Sequence, residues 1–165
     1  MAEAIAFVLR NLPVFLFVAA LIFAWLSRSG APIADRLLNW ILLLPIGVSG
    51  IWAAVFHLFF PEVAAADIGW EPSPFQFEVG MADLALGVTA CISFWRSLDF
   101  KAAVVIINAI FLLGDAIGHV RQMIAESNFA SGNAGVPFLG DLIFPASSII
   151  LLIIVQRSQA AERVS

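Results

Sequence analysis

Apolar residues fall in five long runs, over about residues 11–27, 36–60, 74–95, 101–125 and 137–156, with short polar stretches between them. At 1.5 Å rise per residue, about 20 apolar residues cover the roughly 30 Å hydrocarbon core of a bilayer. The pattern predicts an all-α, polytopic transmembrane helical bundle of about five membrane-spanning helices. It forms a single domain over residues 1–165, with the lipid bilayer as its first partner.

The flanks and breakers refine each run. Leu12 to Leu26 is almost wholly apolar, and Arg28 after it reads as a stop-transfer flank. The competing reading is a cleaved signal peptide, with Ser29-Gly30-Ala31 as its small-residue site. If residues 4–10 are helical as well, this span is long and tilted. In the second run Pro45 removes one ladder hydrogen bond and should bend the helix. Gly47, Ser49, Gly50, Ala53 and Ala54 allow a neighbouring helix close approach.

Residues 61–77 make the longest polar connection. Pro61 to Asp67 can lie at the interface as a short helix, with Trp70 as its anchor. Ser73-Pro74-Phe75-Gln76 reads as a helix start, with a capping serine and a proline at the first helical position. Residues 126–136 read as a turn-rich loop, Pro137 opens the fifth run and Pro145 should kink it.

Composition agrees with a membrane bundle. The chain is 62% hydrophobic and 12% charged, about half the charged share of a soluble domain. There is no basic patch, which excludes a nucleic-acid partner. Cys91 is the only cysteine, so neither an internal disulfide nor a cysteine-based zinc site can form.

Basic residues set the expected topology. Five spans put Arg28, Arg36, Arg96, Lys101, Arg157 and Arg163 on one side, against Arg10 and Arg121 on the other. The richer side faces the cytoplasm, so the amino terminus lies outside and the carboxyl terminus inside. Trp25, Trp40 and Trp95 then fall on the cytoplasmic belt and Trp70 on the outer one.

Against this apolar background stand a few ionisable residues. Asp115 and His119 lie four apart, on one face of the fourth span. Counted from the cytoplasmic ends, His57 sits at about 31 Å, Glu78 and His119 at about 27 Å, Asp141 at about 24 Å, and Asp83 and Asp115 at about 20 Å. Four helices therefore bring acids or imidazoles to the same outer half of the membrane. Two unpaired charged aspartates near helix centres would cost about 5–7 kcal/mol, which favours a joint, compensated site.

Acids outnumber bases there, and two imidazoles with carboxylates suit Zn, Fe(II) or Mn(II). His57, Glu78, Asp115 and His119 are the expected metal ligands. Asp83, Asp141 and Arg121 would orient them or relay protons. No spacing matches a specific metal motif such as His-Glu-x-x-His. A bland alternative is a structural hydrogen bond between Asp115 and His119, with His57 bonded to a headgroup or carbonyl. Gly114 and Gly118 read as helix-packing positions.

The runs His57-Leu-Phe-Phe-Pro61-Glu62, Ile68-Gly69-Trp70, Ser73-Pro74-Phe75-Gln76-Phe77-Glu78-Val79-Gly80 and Gly114-Asp115-Ala116-Ile117-Gly118-His119 resemble a family of small bacterial membrane proteins known as a domain of unknown function. The resemblance spans about residues 45–145 and implies a multi-pass protein of the bacterial cytoplasmic membrane. More distantly, the short bundle is similar in architecture to DoxX-type proteins, some of them linked to quinone oxidation.

The expected function is an outward-facing intramembrane polar site that binds a divalent metal ion. Its chemistry would be redox or hydrolytic work on a small lipophilic ligand such as a quinone. One alternative is a small proton-coupled transporter, which needs a polar path into the cytoplasmic half, where only Asn108 is available. Another is an accessory subunit of a larger membrane complex, or a homo-oligomer, packed through Gly114 and Gly118.

Overall fold

The computed structural model describes residues 7, 8, 10–28 and 30–162. Residues 4–6 and Leu9 of the considered extension, Ser29 of the cleavage-site reading and Arg163 of the charge count lie outside them. The described residues are helical, with no strand among them. Helix α1 is Leu12–Leu26. A continuous rod follows, built of α2 (Ile33–Ile41), a π-helical stretch (Leu42–Val48) and α3 (Ser49–Phe59). Then come α4 (Pro61–Ile68), α5 (Phe75–Ser93), α6 (Leu98–Ala125), the single turn α7 (Ser131–Ala134) and α8 (Val136–Glu162).

Four of these units are long and apolar enough to cross a membrane: Ile33–Phe59, Phe75–Ser93, Leu98–Ala125 and Ser131–Glu162. Leu12–Leu26 is equally apolar but has 15 residues, or about 22 Å of helix. The five apolar runs thus fold as four full-length helices and one shorter one. The chain is a multi-pass helical membrane protein by length and composition.

Pro45 has the predicted effect in a particular form. Its missing N–H and its ring cannot fit a regular α turn. The helix widens around it into a π segment, in which the Ser49 amide reaches back five residues to the Leu44 carbonyl. Pro145, by contrast, sits inside α8 without ending it.

The core joins the middle of the bundle. Ala20, Leu38, Ile41, Leu42, Ile46, Ala90, Val104, Val105, Phe144, Leu152 and Val155 form one buried cluster. The seam of α5 with α3 and the π segment before it is tightly closed. A methyl at Gly87 would lie 2.7 Å from the Ile51 amide nitrogen and 2.8 Å from the Gly47 carbonyl oxygen. Gly50 backs onto Gly87, and Gly80 backs onto His57 and Leu58. Here backbone meets backbone, as the small residues of the second run predicted.

The close approach expected at Gly114 and Gly118 is not made within this chain. Gly114 faces open space, and Gly118 meets only the edge of the Trp70 ring, 3.7 Å away. Helix α6 lays these positions on its outer side and turns Val104, Val105, Asn108, Ala109, Ala116 and His119 inward instead.

Local contacts show which ends gather together. Arg36 and Trp40 reach Ser27, through its carbonyl and its hydroxyl, and so tie the α1–α2 turn. Lys101 lies in the electrostatic range of Asp35 at the same end. At the opposite end Arg10 pairs with Asp67 at 3.2 Å. Trp25 and Trp95 are 78% and 75% exposed, as belt residues should be. Trp40 is less open: its ring packs between Phe23 and Phe94, and its N–H donates to Ser27.

Candidate functional site

The polar groups converge at the end of the bundle that holds α4 and α7. Helix α4 begins at Pro61, which needs no amide partner in the first turn, and ends at Gly69. Gly69 has φ +74°, a left-handed cap that glycine adopts without strain. That cap sends Trp70 over α6, where its ring lies 5.8 Å from the His119 imidazole.

Two histidine–aspartate pairs cross between helices. On the α3–α5 seam, His57 Nε2 lies 3.9 Å from Asp83 Oδ2. The missing side chain at Gly80 lets His57 seat this deeply. His57 Nδ1 is buried and has no hydrogen-bond partner. Between α6 and α8, His119 Nε2 lies 3.5 Å from Asp141 Oδ2. His119 is only 7% exposed, and Phe138 packs edge-on against its ring.

Asp115 stands one turn before His119 but makes no hydrogen bond to it. Asp83 of α5, Asp115 of α6 and Asp141 of α8 are each half-buried. Neither Arg nor Lys pairs with any of them among the described residues.

The sequence-derived ligand set is thus redistributed. His57 and His119 each take as partner an aspartate assigned to a supporting role, Asp83 or Asp141. Asp115 is half-buried nearby. Glu78 is exposed and joins neither pair, because five residues along α5 turn it away from the Asp83 face. Arg121 is exposed two residues past His119, on another face of α6, and forms no ion pair with Asp83, Asp115 or Asp141. The hydrogen bond between Asp115 and His119 that a structural reading requires is absent. Among the described residues no three His, Cys, Asp or Glu side chains meet closely enough to hold a metal ion by themselves.

Sequence reasoning missed the residue that organises this end. Asn133, fully buried in α7, uses every polar atom of its amide. Its Oδ1 accepts from Trp70 Nε1 at 2.9 Å and lies 2.8 Å from His119 Nδ1. Its Nδ2 donates to the His119 carbonyl at 3.2 Å and the Asn128 carbonyl at 2.9 Å. Asn128 in turn donates to the Ile68 and Gly69 carbonyls that end α4. The turn-rich loop 126–136 is therefore a fitted cap over His119. The signal was two asparagines in a glycine-rich stretch, which local pattern alone reads as a turn.

Deeper in the bundle Asn108, Ser93 and Ser148 bond their own helices, while the buried Ser49 hydroxyl has no partner among the described residues. Asn108 is buried and donates to the Val104 carbonyl one turn back. Ser93 and Ser148 bond carbonyls of their own helices. These contacts close off local polarity and do not build a path.

No curated protein and no solved structure matches the chain, so the likeness to DoxX-type proteins gains no support. The chain belongs to a family of unknown function, DUF6790, whose model matches residues 10–161.

Proposed function

We propose that this is a small protein of the bacterial cytoplasmic membrane with an intramembrane cation-binding site near its outer end. The amino terminus lies outside and the carboxyl terminus in the cytoplasm. One observation carries the reading: the His57–Asp83 and His119–Asp141 pairs, with Asp115 half-buried one turn before His119, come from four helices and have no Lys or Arg paired with them among the described residues. Buried carboxylates without a basic partner are stabilised by protons or by a bound cation. A divalent metal ion fits the nitrogen and oxygen donors, with water completing its coordination.

The placement of the site supports binding from the outer side. The basic residues favour that side for α4 and α7, and the Arg10–Asp67 pair ties the start of α1 to the same end. The proton-coupled carrier fares less well, because Asn108, its one polar stepping stone toward the cytoplasm, is bonded to its own helix.

The test is metal analysis and calorimetric titration of protein purified in native-lipid nanodiscs, with Zn(II) and Mn(II) as probes. Wild type should bind one ion per chain, and Asp141→Asn and Asp83→Asn should each weaken it at least about tenfold. A folded wild type that binds neither ion, or variants that bind as well as wild type, would defeat the reading.

A further inference from the structure

Asn133 settles which nitrogen of His119 carries a proton. The Trp70 indole N–H can only donate, and the His119 and Asn128 carbonyls can only accept. These three neighbours fix the amide with its oxygen toward Trp70 and its nitrogen toward the carbonyls. The reversed amide would set N–H against N–H and oxygen against two oxygens. The atom facing His119 Nδ1 at 2.8 Å is therefore an acceptor, and Nδ1 must donate to it. A neutral His119 then holds its one ring proton on Nδ1, and its Nε2 lone pair faces Asp141 Oδ2 at 3.5 Å.

We propose that Asn133 is the positioning residue of the site: it locks His119 in the Nδ1–H tautomer, so that Nε2 and Asp141 Oδ2 form a preset donor pair for one divalent transition-metal ion. This rests on the cation-site reading above and names its atoms. Metal-binding histidines commonly donate their second ring N–H to an oxygen acceptor, which fixes tautomer and ring direction. Two donors each about 2.1 Å from a tetrahedral ion stand about 3.4 Å apart, close to the spacing found here. Asp115 lies one turn before His119 on α6 and is half-buried, and neither Lys nor Arg pairs with Asp141 among the described residues. His57 lacks such a lock, since its Nδ1 meets no partner.

The lock is read directly by nitrogen NMR of histidine-labelled protein in nanodiscs, with His119 assigned through His57→Gln. At a pH where His119 is neutral, wild type should show a protonated Nδ1 and a bare Nε2. Added Zn(II) should then shift the Nε2 resonance and leave Nδ1 protonated. Trp70→Phe keeps both carbonyls around the amide and should preserve the tautomer and the zinc response. Asn133→Ala should mix the tautomers and weaken zinc binding about 10- to 100-fold. A neutral His119 protonated on Nε2, or an Asn133→Ala protein with unchanged tautomer and zinc affinity, would overturn the proposal. Should Asn133→Ala not fold, the wild-type and Trp70→Phe spectra still decide it. A locked tautomer with no zinc response would retain the role of Asn133 in the ring's orientation and defeat the cation site.

Discussion

Gly87 and Gly114 are both glycines in long apolar helices, yet the structure predicts opposite effects for the same substitution. An alanine methyl at Gly87 would stand 2.7 Å from the Ile51 amide nitrogen and 2.8 Å from the Gly47 carbonyl oxygen. Both neighbours are backbone and cannot rotate away. Restoring ordinary contact at about 3.4 Å requires the α3–α5 seam to open by about 0.7 Å. That strain is expected to cost about 1–3 kcal/mol, and it is offset in part by the roughly 1 kcal/mol that alanine gains over glycine in a helix. At Gly114 the methyl meets nothing within 4 Å, so only the gain remains. Reversible unfolding in mixed micelles, followed by circular dichroism, should show Gly87→Ala less stable than wild type and Gly114→Ala equal or more stable. Because His57 and Asp83 lie across the same seam, Gly87→Ala should also disturb that pair. A Gly87→Ala protein of wild-type stability would refute the close seam. A Gly114→Ala protein as damaged as Gly87→Ala would mean that a second chain covers that face.

The cap offers further tests. Asn133→Ala strands the Trp70 and His119 donors together, which should cost roughly 2–4 kcal/mol in the same unfolding assay. Trp70→Phe removes one donor with its bond and should cost only about 1 kcal/mol; equal losses for the two would deny Asn133 its central place. Ser97 caps α6 by accepting from the Phe100 amide, so Ser97→Ala should destabilise by about 1 kcal/mol, with no change in metal binding. The Arg10–Asp67 pair is largely open to solvent, so Arg10→Ala should change stability by less than about 1 kcal/mol, a difference that high salt erases.

The order of apolar runs was enough to determine the class of this protein. Hydrophobic length is a local property, and a bilayer rewards it directly. The same holds for breakers and starts. Pro45 announces a disturbed turn, Pro61 starts a helix, and Gly47 and Gly50 announce a close neighbour, because each acts through its own backbone. Depth along a helix is also nearly one-dimensional, so His57, Asp83, Asp115, His119 and Asp141 could be expected in the same half of the bundle.

Azimuth decided the rest, and only packing fixes azimuth. Asp115 and His119 share a helix face, yet His119 turns to Asn133 and Asp141 while Asp115 makes no hydrogen bond to it. Glu78 has the right depth and the wrong side. Gly114 and Gly118 have the spacing of a packing motif, but α6 buries its other face. Asn128 and Asn133 gain their meaning from α4 and Trp70, about 60 residues earlier in the chain. Sequence by itself determined that a greasy bundle carries several acids and two imidazoles along its apolar helices. Tertiary structure alone decided which of them pair, because pairing depends on the rotation and approach of helices that no single helix encodes.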